Sequence, residues 1–298
     1  MNLVVGATGL LGLETCRLLT EKNRPVRALA RKTSDPSRIA DLAALGAEIT
    51  YGDLRQRQTL EKACEGVDTV VSTASSMPFA YKAGDNDIRT VDTLGVINLI
   101  EAASSVHVDR FVYTSFSGNM DLDFPLRNAK RAMERHLQES GMVYTILRPS
   151  FFMEVWLSAA VGFDPAHAKA QIYGTGDRPI SWISLRDVAA FAVKAIENPA
   201  TRDMILELGG PQAITPVEAV KTFEDVLEQS FEVTYVSEDV LRERQEQATD
   251  AMQESFSGLM RAYAAGDTID MGRTLEELPV RLTSVREYAQ SVFDRTAA

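Results

Sequence analysis

Residues 1–12 read MNLVVGATGLLG, and this stretch decides the fold. Leu3, Val4 and Val5 form an apolar run too short for a helix and β-branched enough for a buried strand. Gly6, Gly9 and Gly12 follow at regular steps, and Leu10 to Leu19 has the pattern of a helix. A strand, a glycine-rich turn and a helix in this order suit the binding of a dinucleotide. Gly6 permits the tight turn, Gly9 lets the backbone approach a pyrophosphate, and Gly12 lets the helix pack close to the strand. The helix start then offers unpaired N–H groups and a positive dipole end to the phosphates. The competing reading is a tight turn that binds nothing.

Working outward, Arg24 to Arg31 (RPVRALAR) is expected as the second strand. Its end falls about 20 residues past the turn, where a dinucleotide's ribose is read. An acid there would accept from a 2′-hydroxyl, but Arg31 and Lys32 stand instead, and cations pair with a 2′-phosphate. The expected cofactor is therefore NADP(H) in preference to NAD(H), unless both cations are simply solvated. Asp35 to Leu45 is a helix pattern and Glu48 to Tyr51 a third strand. Asp53 and Leu54 follow, placed to accept from and cover an adenine ring, or Asp53 caps a helix from Arg55 to Cys64. Asp68 to Thr73 is the fourth strand, with small residues Ala74, Ser75 and Ser76 after it that allow a cofactor to come close.

Asp85 to Ser104 is expected as a long helix, Arg110 to Ser115 as the fifth strand, Pro125 to Ser140 as a helix and Val143 to Leu147 as the sixth strand. Strands alternating with helices imply a parallel sheet, so the fold class is α/β, a doubly wound Rossmann sheet. Residues 1–150 are expected to form this core. Residues 151–298 should form a smaller, mostly helical substrate lobe, with parts of 183–208 returning to the core. Short strands are expected at Gln171–Tyr173, Ile180–Ile183 and Met204–Leu208, and a helix over Asp187–Glu197. From Thr215 on, helices dominate, and their many acids read as solvated faces.

The chain has 298 residues, 45% of them hydrophobic, enough for a full core. The net charge of −11 argues against nucleic-acid binding, which wants a basic surface. No apolar run reaches transmembrane length and the start lacks a signal-peptide layout, so no membrane association is expected. Cys16 and Cys64 lie in helical patterns as small core residues, which suits a cytoplasmic location. Three scattered histidines make no metal site, and none is expected.

The chain resembles the NmrA-like branch of the atypical short-chain dehydrogenases/reductases. The resemblance is carried by VVGATGLLG at the start, YGDL at Tyr51–Leu54, GVINLIEAA at Gly95–Ala103 and RFVYTS at Arg110–Ser115. It continues through YTILRPSFFME at Tyr144–Glu154, ISLRDVAAFA at Ile183–Ala192 and TLEELP at Thr274–Pro279. The family implies a Rossmann core that binds NAD(P)(H). It includes quinone, azo-dye, triphenylmethane-dye and isoflavone-type reductases, and also non-catalytic redox sensors that bind a protein partner. The resemblance places Lys130 at the family's lysine position, but Leu126 stands where short-chain dehydrogenases usually carry tyrosine. Spacing of four puts both on one helical face. Leucine cannot act as acid or base, so alcohol–ketone interconversion by the usual route is not expected, whereas a quinone accepts hydride without a tyrosine.

Expected catalytic residues are Lys130 and Ser115. Expected cofactor contacts are Gly6, Thr8, Gly9, Leu10, Leu11 and Gly12 of the turn, then Arg31, Lys32, Asp53, Leu54, Thr73, Ala74, Ser75, Lys130, Pro149 and Phe151. Phe151 is placed next to the nicotinamide by the family's pattern after Arg148-Pro149. Met77, Phe79, Tyr81, Phe116, Phe152 and Trp156 follow strand ends and would wall an apolar pocket for a flat aromatic ring, or else pack as core. The expected function is NADPH-dependent reduction of quinone-like or other flat conjugated acceptors. The alternative is an NADP(H)-binding redox sensor without turnover, acting through a protein partner. A homodimer is left open.

Overall fold

A computed structural model describes residues 1–77 and 86–297 of the chain, with side chains to residue 294. The chain begins with β1 (Asn2–Val5), α1 (Leu10–Glu21), β2 (Val26–Ala30), α2 (Pro36–Ala44), β3 (Glu48–Tyr51), α3 (Arg57–Cys64) and β4 (Thr69–Ser72). A π-helical turn, Ile88–Thr93, leads into α4 (Leu94–Ser105). Then come β5 (Arg110–Thr114), α5 (Pro125–Glu139), β6 (Tyr144–Pro149) and α6 (Met153–Trp156). The remaining elements are β7 (Phe163–Asp164), β8 (Lys169–Tyr173), α7 (Leu185–Glu197), β9 (Met204–Leu208), α8 (Pro216–Leu227), β10 (Glu232–Val236), α9 (Glu238–Glu246), α10 (Ala251–Ala265), α11 (Gly272–Glu277) and α12 (Val285–Ala297).

Seven strands form one sheet in the order β3-β2-β1-β4-β5-β6-β9. The pairings from β3 across to β6 are all parallel, in register from Asn2 opposite Val26 and Thr69 outward. This is the doubly wound Rossmann arrangement that the alternation of elements predicts. The chain forms two compact units. The first comprises residues 1–115, 125–147 and 188–206; the second comprises 116–124, 148–187 and 207–298. The 116–124 segment thus counts with the second unit, although it lies within 1–150.

The first unit has a continuous apolar core. Leu3 and Val5 of β1, Val70 of β4 and Phe111 of β5 pack with Leu60, Leu99, Ile100 and Leu137 from α3, α4 and α5, all at most 1% exposed. Burial of such side chains contributes roughly 2 kcal/mol each, which is why the β-branched strands and the apolar stripes of the helices are forced together. In the second unit β8 pairs with β10 in parallel and with β7 in antiparallel fashion.

Several local expectations are corrected. Ile180–Ile183 makes no strand. Ile180 pairs with both Ile214 and Asp267 while Ile183 pairs with Phe152, so this short stretch is divided among three partners and no ladder develops. Glu232–Val236 is a strand that the acid-rich sequence hides, because β8, with which it pairs, lies far off in the chain. The expected long helix starts as the π-helical turn, capped reciprocally by Asp87 and Thr90; Asp85 is outside the described residues. Asp53 does not cap α3, which begins after Gln56; its carboxylate takes the Arg55 N–H at 2.9 Å and the Arg55 guanidinium at 2.6 Å. Among the described residues, no helix is long and apolar enough to cross a membrane, and no cluster of acids, His and Cys could hold a metal.

Candidate active site

In a parallel sheet every strand ends at the same edge, and the first unit collects its candidate residues there. The glycine turn follows β1, Arg31 follows β2, Asp53 follows β3, Thr73 to Ser75 follow β4, and Ser115 follows β5. The turn is built by its glycines. Gly6 has φ of +86°, and a Cβ there would sit 2.7 Å from Thr73 Oγ1 and 2.8 Å from the Ala74 nitrogen. A Cβ on Gly12 would collide with the Gly6 carbonyl, so α1 packs tightly against the turn. Gly9 is different: a Cβ would meet only the Gly6 oxygen, at 3.2 Å, and the rest of its surroundings is open.

Gly9 is also the N-cap of α1 and provides no side-chain acceptor. The first N–H groups of a helix have no partner within it. Thr8 is half-buried, Leu10 exposed, and Leu11 and Gly12 buried. The result is an open cradle of backbone donors at a positive helix end, with the shape and donors that a diphosphate requires.

At the end of β2, the half-buried Arg31 directs Nη1 to Asn86 Oδ1 at 3.3 Å, and its backbone N–H donates to Ser34 Oγ at 3.0 Å. Lys32 is exposed. The Arg55 guanidinium holds the Asp53 carboxyl below its ordinary range, with a smaller pull from Arg31. Leu54 packs under Gly95, and its carbonyl accepts from Asn98 at 2.8 Å. Thr73 Oγ1 donates to the Val5 carbonyl at 3.1 Å, tying the end of β4 to β1.

Lys130 is buried in α5, on the same helical face as the buried Leu126. Its Nζ lies 3.4 Å from the carbonyl oxygens of Ala74 and Thr114, just past the end of β4 and at the end of β5. It also stands 5.2 Å from the centre of the Tyr113 ring. Tyr113 offers the lysine its ring face, while burial, and then Asp92 and Glu134, push its phenol upward. The Tyr113 hydroxyl has no hydrogen-bond partner among the described residues, and neither has the hydroxyl of the buried Ser115. Strand alternation sets Ser115 on the same sheet face as Tyr113.

One buried group here escaped the sequence reading. Asp92, in the π-helical turn, is fully buried, and its Oδ2 accepts from Ser76 N at 3.0 Å and Ser76 Oγ at 2.6 Å. Its Oδ1 makes no hydrogen bond and faces Lys130 Nζ at 3.5 Å. The available signal was an acid within a mostly apolar helical stretch, VDTLGVINLI.

The second unit holds the other candidates. Pro149 closes β6 and is buried. Phe151 sits in an aromatic cluster, with ring centres 5.0 Å from Trp156, 6.0 Å from Tyr263 and 6.4 Å from Trp182. Trp156 stacks on Tyr263 at 5.5 Å. Trp182 and Tyr263 were not picked from the sequence, because α10 brings Tyr263 in from far along the chain. Phe116 and Phe152 are half-buried, as is Met77 in the first unit; Phe79 and Tyr81 lie outside the described residues.

The NmrA-like family model matches residues 2–289. The chain belongs to the NmrA-like family. Its core is accordingly the family's NAD(P)-binding Rossmann fold. This NmrA-like chain is 32% identical to an NAD(P)H azoreductase of Xenophilus azovorans, over 90% of its own length and 91% of that protein's. It is 29% identical to the photosystem II assembly factor Ycf39 of Trieres chinensis, over 78% of its own length and 71% of that protein's. In fold it is similar to the NADPH-dependent quinone oxidoreductase of Escherichia coli solved with NADPH, with a TM-score of 0.78, 23% identity, and coverage of 98% and 100% of the two chains.

Proposed function

We propose that this protein is an NADPH-dependent reductase that passes hydride to quinone-like or other flat conjugated acceptors. The observation that carries this reading is Lys130, a buried ammonium set against the Ala74 and Thr114 carbonyls at the strand edge where the glycine cradle opens. The NAD(P)H azoreductase relative supports it, being similar over nearly the whole chain.

In this reading Gly6, Thr8, Gly9, Leu10, Leu11 and Gly12 hold the pyrophosphate through backbone donors. Arg31 and Lys32 pair with a 2′-phosphate, and Asp53 and Leu54 border the adenine. Thr73, Ala74, Ser75, Pro149 and Phe151 border the nicotinamide half. The cofactor, when bound, supplies the hydride. Lys130 holds the nicotinamide ribose or steadies the negative charge that develops on the acceptor oxygen. Ser115 offers a hydroxyl with no competing partner in the described structure. With leucine at position 126, the acceptor oxygen takes its proton from water or from a nearby donor. Met77, Phe116, Phe152 and Trp156 supply apolar surface for the acceptor ring. A cytoplasmic location fits two free, buried cysteines.

A second reading, a cofactor-binding sensor that acts on a protein partner, is favoured by Leu126 and by similarity to an assembly factor. NADPH oxidation against a panel of quinones and azo dyes, with NADPH and NADH binding measured by calorimetry, separates the two. Binding with turnover supports the reductase. Tight binding with no turnover on any acceptor overturns it in favour of the sensor.

A further inference from the structure

We infer that Asp92 is a positioning residue for Lys130: its carboxylate orients the ammonium and locks the loop after β4 that borders the nicotinamide half. The inference rests on the reductase reading above. Asp92 joins the parts of this corner. Oδ2 takes both the N–H and the hydroxyl of Ser76, which fixes the chain just beyond Thr73, Ala74 and Ser75. Oδ1, with no hydrogen bond of its own, faces Lys130 Nζ at 3.5 Å, and both side chains are at most 4% exposed.

Burying a carboxylate is costly unless hydrogen bonds and a close counter-charge offset it, which Ser76 and Lys130 provide here. Two carbonyl oxygens also lie 3.4 Å from the ammonium. These two contacts are long for hydrogen bonds to an ammonium, and the Asp92 carboxylate adds its charge at the same corner. The π-helical turn gives Asp92 its reach; such wide turns are frequent at functional sites.

The test is a double-mutant cycle between Asp92→Asn and Lys130→Met, read on kcat and KM for NADPH oxidation and on NADPH Kd by calorimetry. Expected is a fall in kcat of roughly 10²-fold for Asp92→Asn, the scale of a misplaced catalytic group, and no further fall when the same change is made in the Lys130→Met background. The same factor in both backgrounds, or an unchanged kcat in a folded Asp92→Asn protein, would overturn the inference. If the parent turns over no acceptor, the reductase reading fails and the cycle is read on Kd alone. Weakening by Asp92→Asn only where Lys130 is present then sustains the positioning role, and equal weakening in both backgrounds sinks it. Should Asp92→Asn not fold, Ser76→Ala releases Oδ2 while keeping the ion pair. A smaller fall in kcat or affinity, again absent without Lys130, is expected; a fall independent of Lys130 refutes the role.

Discussion

Two cations are buried in the first unit beside strand β5, and they are held in contrasting ways. Arg110, the first residue of the strand, is 5% exposed, and its hydrogen bonds among the described residues go to neutral oxygens. Its Nη2 donates to Thr201 Oγ1 at 2.6 Å and to Thr145 Oγ1 at 2.8 Å, and its Nη1 to the carbonyls of Asn198 and Ile196 at 3.3 and 3.5 Å. These bonds pin the end of α7 and the chain after it to β5 and β6. Lys130, beside the other end of the strand, has a carboxylate opposite it, long contacts to two carbonyls, and an unpartnered serine hydroxyl on the neighbouring sheet face. At Arg110 the two short bonds run from Nη2 to threonine hydroxyls, neutral oxygens of the protein itself, which makes a structural clamp. At Lys130 a buried carboxylate faces the cation instead, and the Ser115 hydroxyl close by has no hydrogen-bond partner among the described residues.

If that contrast holds, substitutions at the two ends of β5 separate catalysis from stability. Lys130→Met is expected to lower kcat about 10²- to 10³-fold, the scale of losing one donor to developing charge, measured as NADPH oxidation; unchanged turnover breaks the comparison. Arg110→Met is expected to cost about 3 kcal/mol of folding stability by urea denaturation, from charge-assisted hydrogen bonds lost and hydroxyls left unpaired. Its NADPH affinity should stay close to the parent's, and a large loss of affinity would mean that the Arg110 end also serves the ligand.

Changes in the cradle sharpen the same contrast. Gly12→Ala forces a methyl against the Gly6 carbonyl and is expected to cost about 2 kcal/mol, with weaker NADPH binding in calorimetry. Arg31→Ala is expected to weaken NADPH about tenfold, roughly 1.4 kcal/mol, and to leave NADH untouched; equal effects on the two cofactors would remove the 2′-phosphate role. The smallest effect belongs to the buried thiols. Burial pushes Cys16 and Cys64 up to about 12, and Arg27 opposes this slightly at Cys64. Both should resist a thiol reagent at neutral pH in the native protein and react once it is unfolded.

Much of this was legible in the chain. Glu48–Tyr51 and Met204–Leu208 are strands over the expected residues, and the roles expected of Gly6 and Gly12 follow from φ and from the absence of a Cβ. These features are local, so residue type and spacing suffice. Where several distant segments compete for one stretch, the sequence falls short. Ile180–Ile183 reads as a strand but is shared among three partners, and Glu232–Val236 becomes a strand only because β8 lies beside it. Asp53 illustrates a closer contest, in which Arg55 takes the carboxylate before the helix can.

By itself, then, the sequence determined the order of strands and helices as far as β6, the glycine turn, the cation at the end of β2, and the placing of Leu126 and Lys130 on one helical face. Each follows from backbone sterics or from a periodicity of a few residues. Tertiary structure alone decided what faces Lys130. Asp92 and Ser76 reach it from separate segments, and the ring of Tyr113 lies beneath it. Periodicity states which way a side chain points but not what it meets. The state of a buried charge depends on what it meets, because in a low-dielectric interior one carboxylate or carbonyl a few ångströms away outweighs everything encoded nearby in the chain.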